Sequence, residues 1–156
     1  MKNRNVYEEV ALEFRRQFGI PHTAAAYAPG RVEVIGNHTD YNEGYVLSAA
    51  IDLGTFFLAA PLEDATCRTI AADVQREARF PAREPKPSEE EAWSNYIKGI
   101  VSGLRKYGEL TNGFAGMFLG NIPVGSGLSS SAALEMSCGL ALCGLYGLEV
   151  DRMDLA

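Results

Sequence analysis

A glycine- and serine-rich stretch has the composition of a phosphate-binding loop. It spans residues 120–135, follows the apolar run 114–119, and reads Gly-Asn-Ile-Pro-Val-Gly-Ser-Gly-Leu-Ser-Ser-Ser-Ala-Ala-Leu-Glu. Glycines let backbone N–H groups approach an anion closely. The first turn of the helix that should follow adds unpaired N–H groups and the positive end of a dipole. The serine hydroxyls can cap that helix, contact phosphate oxygens or bind Mg²⁺.

Two other interpretations of this stretch are less favourable. It is not a Walker A loop, because that motif needs a lysine after the glycines and no lysine follows Lys106. A serine-capped core helix after a glycine turn is the ordinary alternative for short matches of this kind. The length of the motif and its place between a predicted strand and a predicted helix favour phosphate binding.

A second stretch, residues 28–47, gathers side chains of a kind that sugar sites use. It contains an arginine, a histidine, an aspartate, two tyrosines and two asparagines around a predicted turn at 42–44. Carboxylates and amides recognise hydroxyl groups, aromatic rings form walls, and arginine binds phosphate. Singly, each residue has a structural alternative, such as a turn cap or a surface ion pair. Together they favour a binding site.

The hydrophobic pattern predicts the elements that hold these two stretches. A helix with one buried stripe is expected over 6–18, and the helix face that starts at Trp93 continues to Tyr107. The proline-rich segment 81–91 is expected to be an exposed connection. Strands are expected at 24–28 and 31–35, separated by Pro29-Gly30, and at 45–51 and 55–60, separated by 52–54. A shorter antiparallel pair is expected at 67–73 and 75–80. A last strand at 112–119 is expected to lead into the phosphate loop and a buried helix over 129–145.

Composition narrows the class of protein. With 156 residues, 47% hydrophobic and 22% charged, the chain is expected to be one globular domain. A net charge of −6 without a dense basic cluster argues against nucleic acid or an anionic membrane as partner. Three cysteines without metal-ligand spacing do not suggest a disulfide framework. The N-terminus lacks a secretory pattern and no apolar run spans a bilayer, so a cytoplasmic location is expected.

Three ordered motifs resemble the GHMP small-molecule kinases, named for galactokinase, homoserine kinase, mevalonate kinase and phosphomevalonate kinase. The run Pro-x-Gly-x-Gly-Leu-Ser-Ser-Ser-Ala within 121–135 resembles the ATP-binding motif of that family. The stretch 28–47 resembles the galactokinase signature, in which a Gly-Arg-Val strand leads to Ile-Gly-(acid)-His-Thr-Asp-Tyr-Asn. The run Trp-Ser-Asn-Tyr-Ile-Lys-Gly at 93–99 resembles the galactokinase helix that lines the adenine pocket.

The resemblance implies an α+β fold over residues 1–156, that of the GHMP kinase N-terminal domain, with helices packed against a mixed sheet. It implies ATP-dependent phosphorylation of galactose at its C1 hydroxyl, giving galactose 1-phosphate and ADP, with ATP and Mg²⁺ as cofactors. The partner would be a small-molecule sugar. Catalysis would consist mainly of positioning and charge stabilisation.

The resemblance also implies roles for the matching residues. Arg31 would be the catalytic residue, stabilising charge at the phosphoryl-transfer centre. Core packing is the alternative to an adenine contact for Trp93 and Tyr96. The sugar would be bound by Asn37, His38, Asp40 and Tyr41. The nucleotide would be bound by Trp93, Tyr96, Pro123, Gly125, Ser126, Gly127, Leu128, Ser129, Ser130 and Ser131, with Ser131 also the Mg²⁺ ligand.

Three residues depart from the galactokinase pattern. Asn37 stands where the family usually has a glutamate that contacts the sugar near its 6-position. Glu33 stands where asparagine is usual, and Ser48 where proline is usual, a matter of strand-edge geometry. An amide at position 37 still forms hydrogen bonds but loses the charge-assisted ones. The sugar is therefore galactose or, as the alternative, an N-acetylated or pentose sugar.

The chain is expected to be the N-terminal part of a longer kinase. The family's Met-Asp-Gln segment with its catalytic aspartate, and the glutamate that completes its magnesium site, would both lie beyond Ala156. The C-terminal domain expected to pack against this one would then be absent, and apolar surface would be exposed. The 156-residue chain is predicted to have little or no turnover. A non-catalytic sugar and ATP sensor is the alternative from another class, although the intact run 129–133 favours a catalytic ancestor.

Overall fold

Five strands and four helices make up the described part of the chain. The computed structural model describes residues 2–36, 42–110, 112–123 and 125–155, with the backbone alone at Lys2 and Arg152. The elements follow in the order α1 (Lys2–Phe18), β1 (Ala24–Ile35), β2 (Leu47–Pro61), β3 (Thr66–Ala71), β4 (Arg76–Pro81), α2 (Ser94–Leu104), β5 (Phe114–Gly120), α3 (Ser130–Tyr146) and α4 (Arg152–Leu155).

The strands form one mixed sheet in the order β1-β2-β5-β3-β4. β1 pairs with β2, β2 with β5, and β3 with β4, all antiparallel, whereas β3 and β5 run parallel. The last strand in sequence, β5, therefore lies in the middle of the sheet. Its final residue, Gly120, pairs with Thr55 of β2. The predicted α+β class with a mixed sheet is confirmed.

Helix α1 covers one face of the sheet. It begins at Lys2, earlier than predicted, and its buried stripe includes Val10 and Phe14, both fully buried. These side chains are four residues apart and share one helix face. They pack against Leu58 of β2 and Met117 of β5. Because side chains alternate along a strand, the neighbours of these strand residues point to the opposite face.

Helices α2 and α3 cover that opposite face with a larger core. Ile97 and Val101 of α2 and Leu142 of α3 are fully buried, in one cluster with Phe57 and Phe114 of the sheet. The two phenylalanine rings lie 6.4 Å apart between centroids at an interplanar angle of 60°, a tilted arrangement that aromatic pairs favour. This core fixes α3, whose first turn carries the serine run.

The break predicted at Pro29-Gly30 is wrong. Strand β1 continues through both residues and shows a register shift between Pro29 and Arg31. The extra residues lie on β2, where 51–53 stand opposite Gly30 alone, so this bulge interrupts the pairing without ending either strand. The part of β1 that carries Arg31 is therefore held in the same sheet as the part before Pro29.

The separation into two strands at 52–54 is also wrong, because β2 runs through these residues as a single strand of 15 residues. Gly54 pairs with Pro29 of β1, next to the bulge in β2. A Cβ at position 54 would overlap the carbonyl oxygen of Ala28 and the ring of Tyr27. Glycine at this position reflects the close approach of two strands, which a sequence pattern does not distinguish from a turn.

The other elements lie close to their predicted positions. The antiparallel pair predicted at 67–73 and 75–80 is confirmed as β3 with β4. The helix predicted at 129–145 starts one residue later, because Ser129 has a left-handed backbone. Helix α2 ends before Tyr107, which still packs against the core.

A short helix, α4, was not predicted from the sequence. A Cβ on Gly139 of α3 would lie 2.8 Å from the Leu155 side chain of α4, so glycine at this position permits close packing of the two helices. Gly147 instead ends α3 in the left-handed conformation, with φ 64°. None of the helices in the described ranges combines the length and apolar character that crossing a bilayer requires.

Burial should protect two of the three thiols from chemical modification. Cys67 and Cys138 are fully buried, and burial raises the pKa of Cys67 to about 12 and the pKa of Cys138 well above its ordinary value. The thiolate is the reactive form. With Ellman's reagent at pH 8, we expect both to react only as the protein unfolds, while the half-buried Cys143 reacts slowly in the native state. Immediate titration of all three thiols in the native protein would contradict this core.

Candidate functional site

The loop between β5 and α3 has a backbone conformation that directs N–H groups to one side. φ is +73° at Gly125, +72° at Gly127 and +60° at Ser129, while the residues between them have negative φ. Such alternation forms a concave anion site from successive backbone N–H groups. A Cβ on either glycine would meet nothing within 4 Å. Glycine is therefore required here by the backbone conformation and not by lack of space.

The N-terminus of α3 adjoins this loop. The helix begins at Ser130, and the side chain of the preceding Ser129 makes no capping hydrogen bond. The first N–H groups of the helix are thus left for a ligand, and the dipole favours an anion there. The side chains of Ser130 and Ser131 are exposed at this end. Loop and helix together suit the phosphates of a bound ligand.

The loop between β5 and α3 is held against β1 and α3 by apolar contacts and by one backbone hydrogen bond. Ile122, which is 8% exposed, clusters with Ala28 of β1 and Ala133 of α3, and Leu128 packs beside them. The backbone N–H of Arg31 donates to the Leu128 carbonyl oxygen at 3.1 Å. The strand of the second sequence motif therefore contacts the loop of the first directly.

Arg31 lies at this junction. Its Nε donates to Ser129 Oγ at 3.2 Å, and its Nη1 donates to Glu33 Oε2 at 2.8 Å. The Arg31 side chain is 53% exposed, so its charge can reach a ligand held by the loop. A guanidinium beside a site made of N–H groups favours phosphate and can stabilise charge that develops on it.

A pocket of about 420 Å³ opens beside the serine run. Trp93, Tyr96 and Phe118 contribute aromatic surface, and Ser130 and Ser131 contribute hydroxyl groups from the first turn of α3. An apolar wall for a planar ring, next to a helix N-terminus for phosphate, suits a nucleotide.

Trp93 and Tyr96 both line the pocket, but they differ in burial. The Trp93 ring lies 5.8 Å from the Phe118 ring between centroids and packs at the edge of the larger core. Tyr96 is 44% exposed. Packing and ligand contact are therefore compatible for Trp93, whereas Tyr96 is a surface residue of the pocket.

Thr55 and Arg76 also line this pocket, and neither carries a distinctive sequence signal. Thr55 is only 5% exposed although it is polar, and Arg76 comes from the start of β4. In the sequence, each looks like an ordinary strand residue outside both motifs. The one feature of the sequence that distinguishes Thr55 is that it is the single polar residue of the otherwise apolar run 55–60.

Four predicted sugar-binding residues lie outside the described residues: Asn37, His38, Asp40 and Tyr41. They follow Gly36, which comes directly after β1. Of the predicted nucleotide residues, Pro123 helps to hold the loop, because its carbonyl oxygen accepts a hydrogen bond from Ser126 Oγ at 2.7 Å.

The serine run offers few metal ligands, which fits a metal ion that is bound mainly by the phosphate oxygens of a nucleotide. Ser131 offers one exposed hydroxyl to the pocket. Within the described ranges, no group of three or more His, Cys, Asp or Glu side chains could hold a metal ion. Mg²⁺ commonly keeps several waters and binds phosphate oxygens with few protein ligands, so one hydroxyl is compatible with it.

Comparison with known families matches both motifs. Residues 12–61 match the family model described as the galactokinase galactose-binding signature, and residues 95–156 match that of the GHMP kinases N terminal domain. The first range includes β1 and β2, and the second includes α2, β5 and α3. The β3–β4 pair, which contributes Arg76 to the pocket, lies between the two matches.

Solved structures show the same fold. Galactokinase from Lactococcus lactis, solved in complex with galactose, is 37% identical to this chain, with a TM-score of 0.85 over 96% of this chain. This chain spans 40% of the length of that galactokinase. Mevalonate kinase from Methanococcus jannaschii is 22% identical, with a TM-score of 0.75; the match covers 86% of this chain and 43% of that enzyme, and it shows the fold alone.

Proposed function

Because this chain belongs to the GHMP kinase family, we propose that it forms the nucleotide- and sugar-binding part of a kinase acting on galactose. The reaction transfers the terminal phosphoryl group of ATP to the C1 hydroxyl of the sugar and releases ADP. The observation that carries the proposal is the contact between the two motifs, in which Arg31 Nε lies 3.2 Å from Ser129 Oγ. A kinase needs its phosphate loop and its sugar strand in such contact, since both substrates must meet at one phosphorus atom.

Each residue around the pocket has its own proposed role in phosphoryl transfer. Trp93 and Tyr96 border the base, and the N–H groups of 125–131 hold the phosphates. Arg31 stabilises the charge that spreads over the transferred group. Ser131 contributes its hydroxyl to Mg²⁺, which supplies further neutralisation of that charge when bound. Positioning and preorganised charge account for most of the catalysis in reactions of this class.

The sugar contacts are assigned to the segment that follows β1. We propose that Asn37, His38, Asp40 and Tyr41 bind sugar hydroxyls. The amide at 37 forms weaker hydrogen bonds than a carboxylate, so the proposed substrate is galactose, with an N-acetylated or pentose sugar as the alternative.

We further propose that residues 1–156 are the N-terminal domain and that a C-terminal domain packs against them. The ends of β1 and β2 extend from the core as a two-stranded ribbon, and Val34, Ile35 and Leu47 on it are each more than half exposed. Apolar side chains grouped in this way indicate a contact surface. This chain spans 40% of the galactokinase that it resembles, which leaves room for such a domain.

Nucleotide binding by the 156-residue chain is the first test. Trp93 is the only tryptophan and lines the pocket, so its fluorescence should change saturably with Mg-ATP. Replacing Ser131 with alanine should weaken Mg-ATP binding roughly tenfold while leaving binding of ATP in EDTA nearly unchanged, because the lost hydroxyl serves the metal. Ser102→Ala, an exposed change on α2, is the matched control. No fluorescence change at millimolar Mg-ATP would contradict the nucleotide site.

The identity of the sugar substrate is tested by assaying the complete gene product and the 156-residue chain in parallel. ADP release is measured with Mg-ATP and galactose, N-acetylgalactosamine, arabinose or glucuronate. We expect turnover with galactose from the complete product and little or none from the 156-residue chain. Turnover with another sugar alone would make Asn37→Glu the variant to examine. ATP binding without turnover on any sugar would favour the sensor.

A further inference from the structure

The carboxylate of Glu33 joins Arg31 to the neighbouring strand. It accepts a hydrogen bond from Arg31 Nη1 at 2.8 Å and is also approached by Ser48 Oγ, at 2.8 Å from Oε1 and 2.9 Å from Oε2. Arg31 in turn donates from Nε to Ser129 Oγ. A continuous chain of polar contacts therefore runs from β2 through β1 to the phosphate loop.

Strand geometry places these side chains together. Arg31 and Glu33 are two residues apart on β1, so they share one face of the sheet. Glu33 lies directly opposite Ser48 in the antiparallel pairing of β1 with β2. Directly opposed side chains have the closest contact across a ladder. The backbone thus fixes the spacing of all three groups.

Burial shows which side chain in this series of polar contacts is held most firmly. The Glu33 side chain is 14% exposed, whereas that of Arg31 is 53% exposed. An exposed arginine without partners samples many rotamers. Here two of its nitrogen atoms are bound to groups fixed by the strands and the loop. In the described part of the chain, Nη2 makes no hydrogen bond, so it remains for a ligand.

We propose that Glu33 and Ser48 are positioning residues, which hold the Arg31 guanidinium beside Ser129 so that Nη2 meets the terminal phosphate of a bound nucleoside triphosphate. The nature of that anion rests on the proposed function. Ser48 acts through Glu33, and Glu33 acts through Arg31. Neither Glu33 nor Ser48 needs to touch the nucleotide.

The test compares Glu33→Gln and Ser48→Ala with a matched control, Glu77→Gln. Glu77 likewise accepts hydrogen bonds from arginine, in its case from both Arg68 at 2.8 Å and Arg79 at 2.6 Å, but it lies on β4 away from the loop. The first measurement needs no ligand. The ¹⁵N–¹H signal of Arg31 Nε, assigned by its loss in Arg31→Lys, should shift and exchange faster in Glu33→Gln, less so in Ser48→Ala, and remain unchanged in Glu77→Gln.

The second measurement is affinity for ATP and ADP by Trp93 fluorescence. Glu33→Gln should weaken ATP binding by roughly three- to tenfold and ADP binding much less, since a charge-assisted contact to the terminal phosphate is disturbed. In an Arg31→Ala background the same change should have no effect. If Glu33 had only a general structural role, Glu33→Gln would weaken the binding of ATP and ADP equally. The same loss of affinity would then also appear in the Arg31→Ala background.

The outcomes separate this proposal from the proposed function. An Arg31 Nε signal that is insensitive to Glu33→Gln would overturn the positioning role, as would an equal loss of ATP and ADP affinity. Absence of any nucleotide binding by the unaltered chain would contradict the proposed function, and the positioning of Arg31 would then be decided by its Nε signal alone.

Discussion

Replacing Phe114 with alanine should lower the free energy of unfolding by about 3–5 kcal/mol. Phe114 is 1% exposed, and its ring centroid lies 6.4 Å from that of Phe57 and 6.5 Å from that of Phe80. It opens β5, the strand that joins the two halves of the sheet. The surrounding rings cannot all move inward, so a cavity should remain. Urea unfolding followed by circular dichroism measures the loss, and the thermal midpoint should fall by roughly 10 °C.

Leu12→Ala provides the control for this prediction. Leu12 is 74% exposed on α1, so its truncation should change the free energy of unfolding by only about 0.5 kcal/mol. Phe114→Leu should fall between the two variants, because it retains part of the buried volume. A Phe114→Ala protein as stable as Leu12→Ala would mean that the core around β5 is packed differently.

Gly30→Ala should weaken nucleotide binding by roughly five- to a hundredfold. A Cβ at position 30 would lie 2.7 Å from the carbonyl oxygen of Leu128 and 3.0 Å from the Ile122 side chain. The carbonyl belongs to the backbone of the phosphate loop, so it can yield only if the loop moves from β1. Overpacking of this kind costs about 1–3 kcal/mol, and each 1.4 kcal/mol expressed in binding is about tenfold in affinity. Titration of Trp93 fluorescence with Mg-ATP measures the effect.

Gly103→Ala is the matched control for Gly30→Ala. Gly103 lies in α2, and a Cβ there would meet nothing within 4 Å. Alanine should stabilise the helix by roughly 0.5–1 kcal/mol without changing nucleotide affinity. If Gly30→Ala bound Mg-ATP as tightly as Gly103→Ala, the contact between β1 and the loop would not control the site.

The conformation of the loop between β5 and α3 was predictable from its sequence, because the residue types constrain the backbone. Glycine at 125 and 127 is required by positive φ, and the serines follow where a helix must begin. These requirements are local and are visible in the residue types. The left-handed backbone of Ser129 was not predictable, since serine rarely adopts it.

The relation between Glu33 and Ser48 could not be predicted for a different reason. In the sequence they are two separate departures from the galactokinase pattern, 15 residues apart. Only the register of β1 with β2 brings them opposite each other. That register depends on the bulge in β2 opposite Gly30, where the sequence suggested a break in β1. Thr55 and Arg76 reach the pocket through the same kind of long-range pairing.

The position of β5 has a consequence for how the protein is made. Before residues 114–120 have been synthesised, the β1–β2 hairpin and the β3–β4 hairpin have no strand to join them, and each exposes an unpaired edge. A nascent chain paused before this point should be prone to associate with its neighbours. The strand that completes the sheet is also the strand that leads into the phosphate loop. The loop and helix that we propose as the nucleotide site can therefore be completed only when the two hairpins have been joined.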